Sequence, residues 1–187
     1  NVLEDLKNLK KLYINNTKVQ TLAPINSLTQ IEKIYCDNTE ISKEESMQFI
    51  NTHPGTLVIF ESGHLLSWWQ SLPEYWKLIF RKYVNTTPSL DQLARLVNET
   101  EIDITDNKEV STLEPLKAFY NLKLLKIKST GVSNLDPIKD CVHLETLDIT
   151  DTKIASLSPI NNIRNIKKIY CEKTSLDSSA INTFRDL

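Results

Sequence analysis

The sequence predicts an α/β fold in which short parallel strands stack into a solenoid, because two kinds of internal repetition run along it. The segment Thr21–Ile41 is echoed by Ser156–Leu176, which begins 135 residues later. A shorter period of 22 residues links the following aliphatic positions: Leu12 to Ile34, and Leu125 to Leu147 to Ile169. A period of this length is typical of proteins in which each repeat buries its apolar face against the next one.

Each repeat contains one short predicted strand in which buried and outward positions alternate. In Lys11–Asn15, Leu12 and Ile14 are expected to point inward and the other side chains outward. The same alternation is found in KIYCD, KIKST, TLDIT and KIYCE. Strands that all run in one direction need a return path, and the rest of each repeat, about 16 residues, suffices for one.

Two further positions repeat together with the strands. A threonine follows each strand where the chain must bend away, and its hydroxyl can satisfy backbone groups that no strand pairing reaches. These threonines are Thr17, Thr39, Thr130, Thr152 and Thr174, and Asn107 takes the same place in a weaker repeat that begins at Ile102. A proline lies in the return segment, where its missing N–H breaks no strand pairing, at Pro24, Pro115, Pro137 and Pro159.

The combined pattern, LxxLxxLxLxxTxIxxLxPL, resembles the leucine-rich repeat family, and in particular its bacterial, 22-residue, internalin-like class. The resemblance covers roughly two thirds of the chain. It implies a leucine-rich repeat solenoid with a parallel β-sheet on the concave face and 3₁₀ or irregular segments on the convex side. It also implies that binding is the usual function.

The middle of the chain departs from the repeats and predicts helices. Residues 43–51 read as a helix and residues 56–60 as an apolar strand, which together would close the first block of repeats. From His64 to Val97 an amphipathic pattern predicts helices that break near Ser71–Pro73, with Ser71 as an N-cap, and begin again at Thr87-Pro88. This segment holds all three tryptophans, Trp68, Trp69 and Trp76, which we expect in the core of an inserted helical cap; an aromatic ligand platform is the alternative.

These segments suggest three domains. Residues 1–63 would be the C-terminal part of a first repeat block with its closing cap, and residues 64–100 a helical, Trp-rich linker or N-terminal cap. Residues 101–187 would be a second block, truncated at its C-terminal cap. Because the chain opens and closes inside a repeat, we expect the native protein to extend past both ends.

Composition argues against several classes of function. The net charge is −2 and charges of both signs are interleaved, so nucleic acid is not an expected partner. No apolar run approaches the roughly 20 residues that a membrane span needs. The glycines are isolated and no histidine accompanies a nucleophile, so we expect no enzyme, cofactor or metal. The cysteines, Cys36, Cys141 and Cys171, are expected to be small buried thiols, which slightly favours a cytoplasmic location over the cell surface.

The outward side chains of the predicted strands are the candidate binding residues. They are Lys11, Tyr13, Asn15, Lys33, Tyr35, Asp37, Asp103, Lys126, Lys128, Asp148, Lys168, Tyr170 and Glu172. Three tyrosines share one lane, and tyrosine is enriched at interfaces, although these rings could simply cover neighbouring strands. We expect a non-enzymatic module that binds a protein or peptide of unknown identity through its concave face. A carbohydrate or cell-surface binding module and a regulatory segment of a larger multidomain protein are the alternatives, and the oligomeric state is left open.

Overall fold

The structure, a computed structural model, describes residues 3, 5–178 and 181 and divides the chain into two compact units. The first unit comprises Asn1–Ser67 with Pro88–Arg95, and the second comprises Trp68–Thr87 with Leu96–Leu187. The two units therefore share the middle segment, and the domain boundaries proposed from the sequence stay a prediction. The predicted truncation of the last cap falls outside the described residues.

The first unit contains a three-stranded parallel sheet. Its strands, in spatial order, are β1 (Lys11–Tyr13), β2 (Lys33–Tyr35) and β3 (Leu57–Ile59). The register places Leu12 beside Ile34, as the 22-residue period predicts, and Ile34 beside Val58, which follows after a longer interval that contains a helix. Helix α1 (Lys43–Thr52) connects β2 to β3, and the Ser42 side chain caps it by accepting from the backbone N–H of Glu45.

The second unit contains a four-stranded parallel sheet with the same alignment. Its strands, in spatial order, are β4 (Glu101–Asp103), β5 (Leu124–Lys126), β6 (Thr146–Asp148) and β7 (Lys168–Tyr170). Their central residues, Ile102, Leu125, Leu147 and Ile169, lie side by side in register. The first three are fully buried, and burial of each such side chain contributes about 1.5–3 kcal/mol.

The return segments contain short 3₁₀ turns, as the prolines predict. These turns span Ala23–Ile25, Glu114–Ala118, Asp136–Ile138 and Ser158–Ile160, and each has its proline in the first or second position. Proline suits this position because its fixed φ fits a helical start and the first N–H groups have no internal partner. The aliphatic residue directly after each of these prolines is buried, for example Ile25 and Ile138.

The threonine that follows β1, β2, β5, β6 and β7 has the predicted role. Its hydroxyl donates to the carbonyl three residues earlier: Thr17 to Ile14 at 2.7 Å, Thr39 to Cys36 at 2.9 Å, Thr130 to Ile127 at 2.7 Å, Thr152 to Ile149 at 2.6 Å and Thr174 to Cys171 at 2.9 Å. The side-chain amide of Asn107 donates to the Ile104 carbonyl in the same way, at 2.9 Å. Each of these bonds satisfies a carbonyl at the point where the chain leaves the sheet.

The residue before each of these side chains has a left-handed backbone, which was not predicted from the sequence. These residues are Asn16, Asn38, Asp106, Ser129, Asp151 and Lys173, with φ between 53° and 63°. Asparagine and aspartate tolerate this conformation better than other non-glycine residues. Their recurrence just before the threonine was the available signal.

Three helices occupy the middle of the chain: α2 (Ser62–Ser71), α3 (Glu74–Phe80) and α4 (Leu90–Val97). The prediction of Ser71 as an N-cap is wrong, because Ser71 ends α2, its hydroxyl donates to the Trp68 carbonyl, and Pro73 takes the N-cap position of α3. Helix α4 begins after Ser89 rather than at Thr87-Pro88. A reciprocal capping box holds it there, since the Gln92 N–H donates to Ser89 Oγ and the Ser89 N–H donates to Gln92 Oε1.

The tryptophans lie in or against the core of the second unit. Trp76 is fully buried, with its ring centroid 5.2 Å from that of Phe80. Trp68 and Trp69 are half-buried against the same core, and Trp68 Nε1 donates to the Pro115 carbonyl at 3.1 Å. The core interpretation of the tryptophans is therefore confirmed, whereas the role of this segment as a cap stays a prediction.

Candidate functional site

The outward side chains of the first sheet form a surface that we call the first face. It consists of Lys11, Tyr13, Lys33, Tyr35, Leu57 and Ile59, in pairs along the three strands. The rings of Tyr13 and Tyr35 are stacked, with centroids 4.6 Å apart and planes 4° from parallel. Tyr13 is 64% exposed and Tyr35 is half-buried, so the two members of this stack differ in their availability to a partner.

The half-buried part of the first face binds an aspartate from the same unit. Lys33 Nζ contacts Asp91 Oδ2 in a salt bridge, and the Tyr35 hydroxyl donates to Asp91 Oδ1 at 3.1 Å. Burial of Asp91 opposes its ionisation, but the hydrogen bonds from Lys33 and Tyr35 outweigh burial and keep the pKa of the carboxyl below its usual value. The hydrogen bond to Asp91 raises the pKa of Lys33.

Strand β3 contributes apolar residues to the first face where the other strands carry polar ones. Leu57 and Ile59 are buried in a cluster with Ala94, and Tyr35, Leu65 and Leu90 pack around it. Leu57 stands in the same lane as Lys33, and Ile59 in the same lane as Tyr35. The β2–β3 part of the first face is therefore already covered by side chains of the first unit.

Asn15 and Asp37, which were predicted to bind a partner, make hydrogen bonds within the unit. The Asp37 N–H donates to Asn15 Oδ1 at 2.8 Å, and Asp37 Oδ1 accepts from the backbone N–H of Ser62 at 2.8 Å. A carboxylate at the first residue of α2 is favourable because the N–H groups there have no partner inside the helix. Asp37 thus has a local structural role, and its binding role stays a prediction.

The outward side chains of the second sheet form the second face. Its central lane is Asp103, Lys126, Asp148 and Tyr170, flanked by Leu124, Thr146 and Lys168 on one side and by Thr105, Lys128, Thr150 and Glu172 on the other. Most of these side chains are half-buried or exposed, and Tyr170 is 52% exposed. The second face is thus an accessible surface of mixed charge.

Hydrogen bonds to the backbone orient the two aspartates of the second face. Asp103 Oδ1 accepts from the Thr105 N–H at 3.0 Å, and Asp148 Oδ1 accepts from the Thr150 N–H at 2.9 Å. Lys126 Nζ lies 3.6 Å from Asp103 Oδ2. Burial opposes ionisation of Asp103, but these hydrogen bonds and the neighbouring lysines keep its pKa below the usual value.

Two residues beside β4 were not predicted from the sequence. Lys82 Nζ donates to the Asp103 carbonyl at 2.8 Å, and the Tyr83 hydroxyl donates to the Glu101 carbonyl at 3.2 Å. Because β4 is an edge strand, these carbonyls point away from β5 and need other partners. Burial, together with nearby carboxylates, raises the pKa of Tyr83 to about 12, so its hydroxyl stays a donor. No sequence pattern signalled these contacts.

The two buried cysteines have little reactivity as nucleophiles. Burial raises the pKa of Cys36 and of Cys141 to about 12, which keeps both as unreactive thiols. Cys171, predicted to be buried, is only half-buried because it lies in the last described strand repeat.

Across the described part of the chain, no group of three His, Cys, Asp or Glu residues is placed to hold a metal ion. None of the described helices is long and apolar enough to cross a bilayer.

Comparisons with known proteins give similarities at the level of structure only. No protein-family profile and no curated protein sequence matches the chain. An internalin of Listeria monocytogenes, inlF, is 18% identical over 99% of this chain and 48% of its own, with a TM-score of 0.46. Internalin C2 of the same organism is 19% identical over 97% of this chain and 70% of its own, with a TM-score of 0.42.

A leucine-rich repeat protein of Leptospira interrogans is 13% identical over 98% of this chain and 42% of its own, with a TM-score of 0.46. The chain thus spans about half the length of the first of these structures. The fold is shown by the chain's own repeats: the 22-residue period, the aligned parallel strands, the hydrogen-bonded threonines and the proline-led 3₁₀ turns. These features show the fold of a leucine-rich repeat solenoid whose repeats have the 22-residue, internalin-like length.

Proposed function

We propose that the chain is a non-enzymatic module that binds a protein or peptide through the second face. The observation that carries this proposal is the central lane of that face, in which Asp103, Lys126 and Asp148 alternate in charge and Tyr170 completes the row. The strands fix the spacing of these side chains, and the hydrogen bonds at Asp103 and Asp148 fix their direction. A surface that is ordered before binding loses little conformational entropy when a partner docks.

The chemistry of the second face favours a polypeptide over a polyanion. Carboxylates and lysines alternate, so the second face does not have the uniform positive field that attracts nucleic acid or an anionic lipid surface. Tyr170 supplies a large amphipathic ring at the exposed end of the lane, and tyrosine is among the residues that dominate protein interfaces. Lys128, Lys168 and Glu172 are exposed, and in residues 5–178 their side chains form no salt bridge.

Site-specific photo-cross-linking in cells that produce the protein tests this proposal. A photoreactive phenylalanine analogue replaces Tyr170 in one variant and Val142, an exposed residue of a return segment, in the control. We expect the probe at position 170 to give a discrete cross-linked protein, and an added Asp148→Lys substitution to weaken that product. Equal products from both positions, or products at position 142 alone, would move the binding surface away from the second face.

A carbohydrate-binding function is the second candidate, and the tyrosine stack of the first face supports it. Aromatic rings provide flat apolar surfaces, and Tyr13 is 64% exposed beside Tyr35. A glycan array with the unsubstituted chain and with Tyr13→Ala and Tyr170→Ala variants separates the candidates. Glycan binding that is lost in these variants would favour carbohydrate over protein as the ligand.

A further inference from the structure

The contact between the first face and residues 90–94 has the composition of a helix-binding site. Both carboxylate oxygens of Asp91 are engaged, one by Lys33 and the other by Tyr35. Next to this polar contact, Leu90 and Ala94 pack in one cluster with Leu57 and Ile59. Leu90 and Ala94 are four positions apart, a spacing that places both on one face of a helix, and amphipathic helices are recognised in grooves through aliphatic anchors at such spacings.

The apolar part of the first face is a departure from the repeat pattern. At the positions of Leu57 and Ile59, the neighbouring strand β2 carries Lys33 and Tyr35, and the strands of the second sheet carry mostly polar residues. Aliphatic side chains on an outward face are stable only when something covers them. These two residues therefore suit a ligand that brings its own aliphatic side chains.

Helix α4 depends on packing for its helical form, and its Leu93 and Ala94 are buried. It has eight residues, which is shorter than the roughly 12–15 residues that an isolated helix needs to be marginally stable in water. Residues Pro88–Arg95 belong to the first unit, whereas the last residues of α4 belong to the second. Within the first unit, its hold on the first face comes from Leu90, Asp91 and Ala94.

We propose that the first face is a binding site for an amphipathic helix that carries an aspartate in its first turn, and that residues 89–94 occupy this site as an internal ligand. A partner protein reaches the site by replacing them with a helix of the same chemistry: an aliphatic residue before the aspartate and a small or aliphatic residue three positions after it. Lys33 and Tyr35 bind the carboxylate of that helix, and Leu57 and Ile59 contact its aliphatic side chains. This site is separate from the second face, so either proposal can fail without the other.

The test uses a fluorescein-labelled peptide of residues 86–98 and the full chain. In the Asp91→Lys variant, charge repulsion from Lys33 disfavours the internal ligand and leaves the first face open. We expect the peptide to bind this variant, and to bind the unsubstituted chain about tenfold more weakly because the internal ligand must first leave. Lys33→Met added to Asp91→Lys should abolish binding, whereas Lys128→Met on the second face is the matched control and should not change it.

Several results would overturn the proposal: no binding to the Asp91→Lys chain, equal binding to the unsubstituted chain, or binding that survives Lys33→Met. Circular dichroism and thermal melting establish that each variant is folded. If Asp91→Lys does not fold, hydrogen exchange on the unsubstituted chain gives the answer. Excess peptide should then speed exchange at the amides of residues 90–94, and a peptide with Asp91→Asn should not. Unchanged exchange with the Asp91 peptide contradicts the proposal.

Discussion

Lys167 Nζ lies 2.6 Å from Glu145 Oε2, and the equivalent pair in the first unit, Lys10 and Glu32, is joined at 2.9 Å with the charges exchanged. Position 145 corresponds to 10, and 167 to 32, in the 135-residue duplication. Each pair links neighbouring repeats just before their strands. The two blocks therefore keep the interaction, but the positive and negative side chains have exchanged positions. A repeat transferred from one block to the other would bring two charges of the same sign together.

A charge-reversal series tests whether this pair aligns its repeats. Glu145→Lys alone places two lysines together and should lower the thermal midpoint slightly, whereas Glu145→Lys with Lys167→Glu should recover it. The effect should shrink at high salt because both side chains are exposed. An equal midpoint for the single and double variants would show that the pair has no effect on stability.

Loss of the Thr152 hydroxyl should destabilise the second unit. Thr152→Val leaves the buried Ile149 carbonyl without its 2.6 Å partner, and an unsatisfied buried group costs about 1–3 kcal/mol. Thr17→Val is the matched control, because Thr17 makes the same bond to Ile14 but is exposed, so water can replace the hydroxyl. Urea denaturation measures both, and equal losses would refute the burial argument.

Trp76 should be a major contributor to the stability of the second unit. Trp76→Ala removes a fully buried ring that packs against Phe80 and should cost about 3–5 kcal/mol. Leu78→Ala on the same helix is the control, because Leu78 is 53% exposed. A soluble Trp76→Ala chain with an unchanged melting temperature would be inconsistent with the core position and would also remove the reason for a capping role.

The Asp91 carboxylate should make the stability of the first unit depend on pH. Its pKa is lower in the folded chain than the ordinary value of 3.8, because the hydrogen bonds from Lys33 and Tyr35 outweigh burial. The carboxylate therefore contributes stability that is fully present well above pH 3.8 and is lost as the pH falls through the lower, folded-state pKa. Between about pH 5 and 2, the urea midpoint of the Asp91→Asn variant should therefore depend less on pH than that of the unsubstituted chain. Parallel profiles for the two chains would contradict the depressed pKa.

The repeat architecture could be predicted from sequence because its causes are local and periodic. The spacing of Leu125 and Leu147 determines which residues pair, and the threonine after each strand marks the bend. The start of α4 could also have been found, since Ser89 and Gln92 form a recognisable capping-box spacing. The prediction of Ser71 as an N-cap was wrong because a serine two residues before a proline also fits the end of a preceding helix.

The contacts of the first face could not be predicted in the same way. Lys33 and Asp91 are 58 residues apart and belong to no repeat, so no period connects them. Lys33, Tyr35 and Asp37 looked like free binding residues because their lanes matched those of the second block, where Lys168, Tyr170 and Glu172 are exposed. The one available signal was the all-apolar strand at residues 56–60, since its outward Leu57 and Ile59 require a cover.

Backbone nuclear Overhauser effects across the second sheet test the central claim most directly, because the display of the second face depends on parallel strands in one register. We predict amide-to-α contacts that align Ile102, Leu125, Leu147 and Ile169 in a single row. Strong α-to-α contacts between these strands, which are typical of antiparallel pairs, would contradict the account, as would a register shifted by one residue, since that shift would turn Asp103, Lys126 and Asp148 inward.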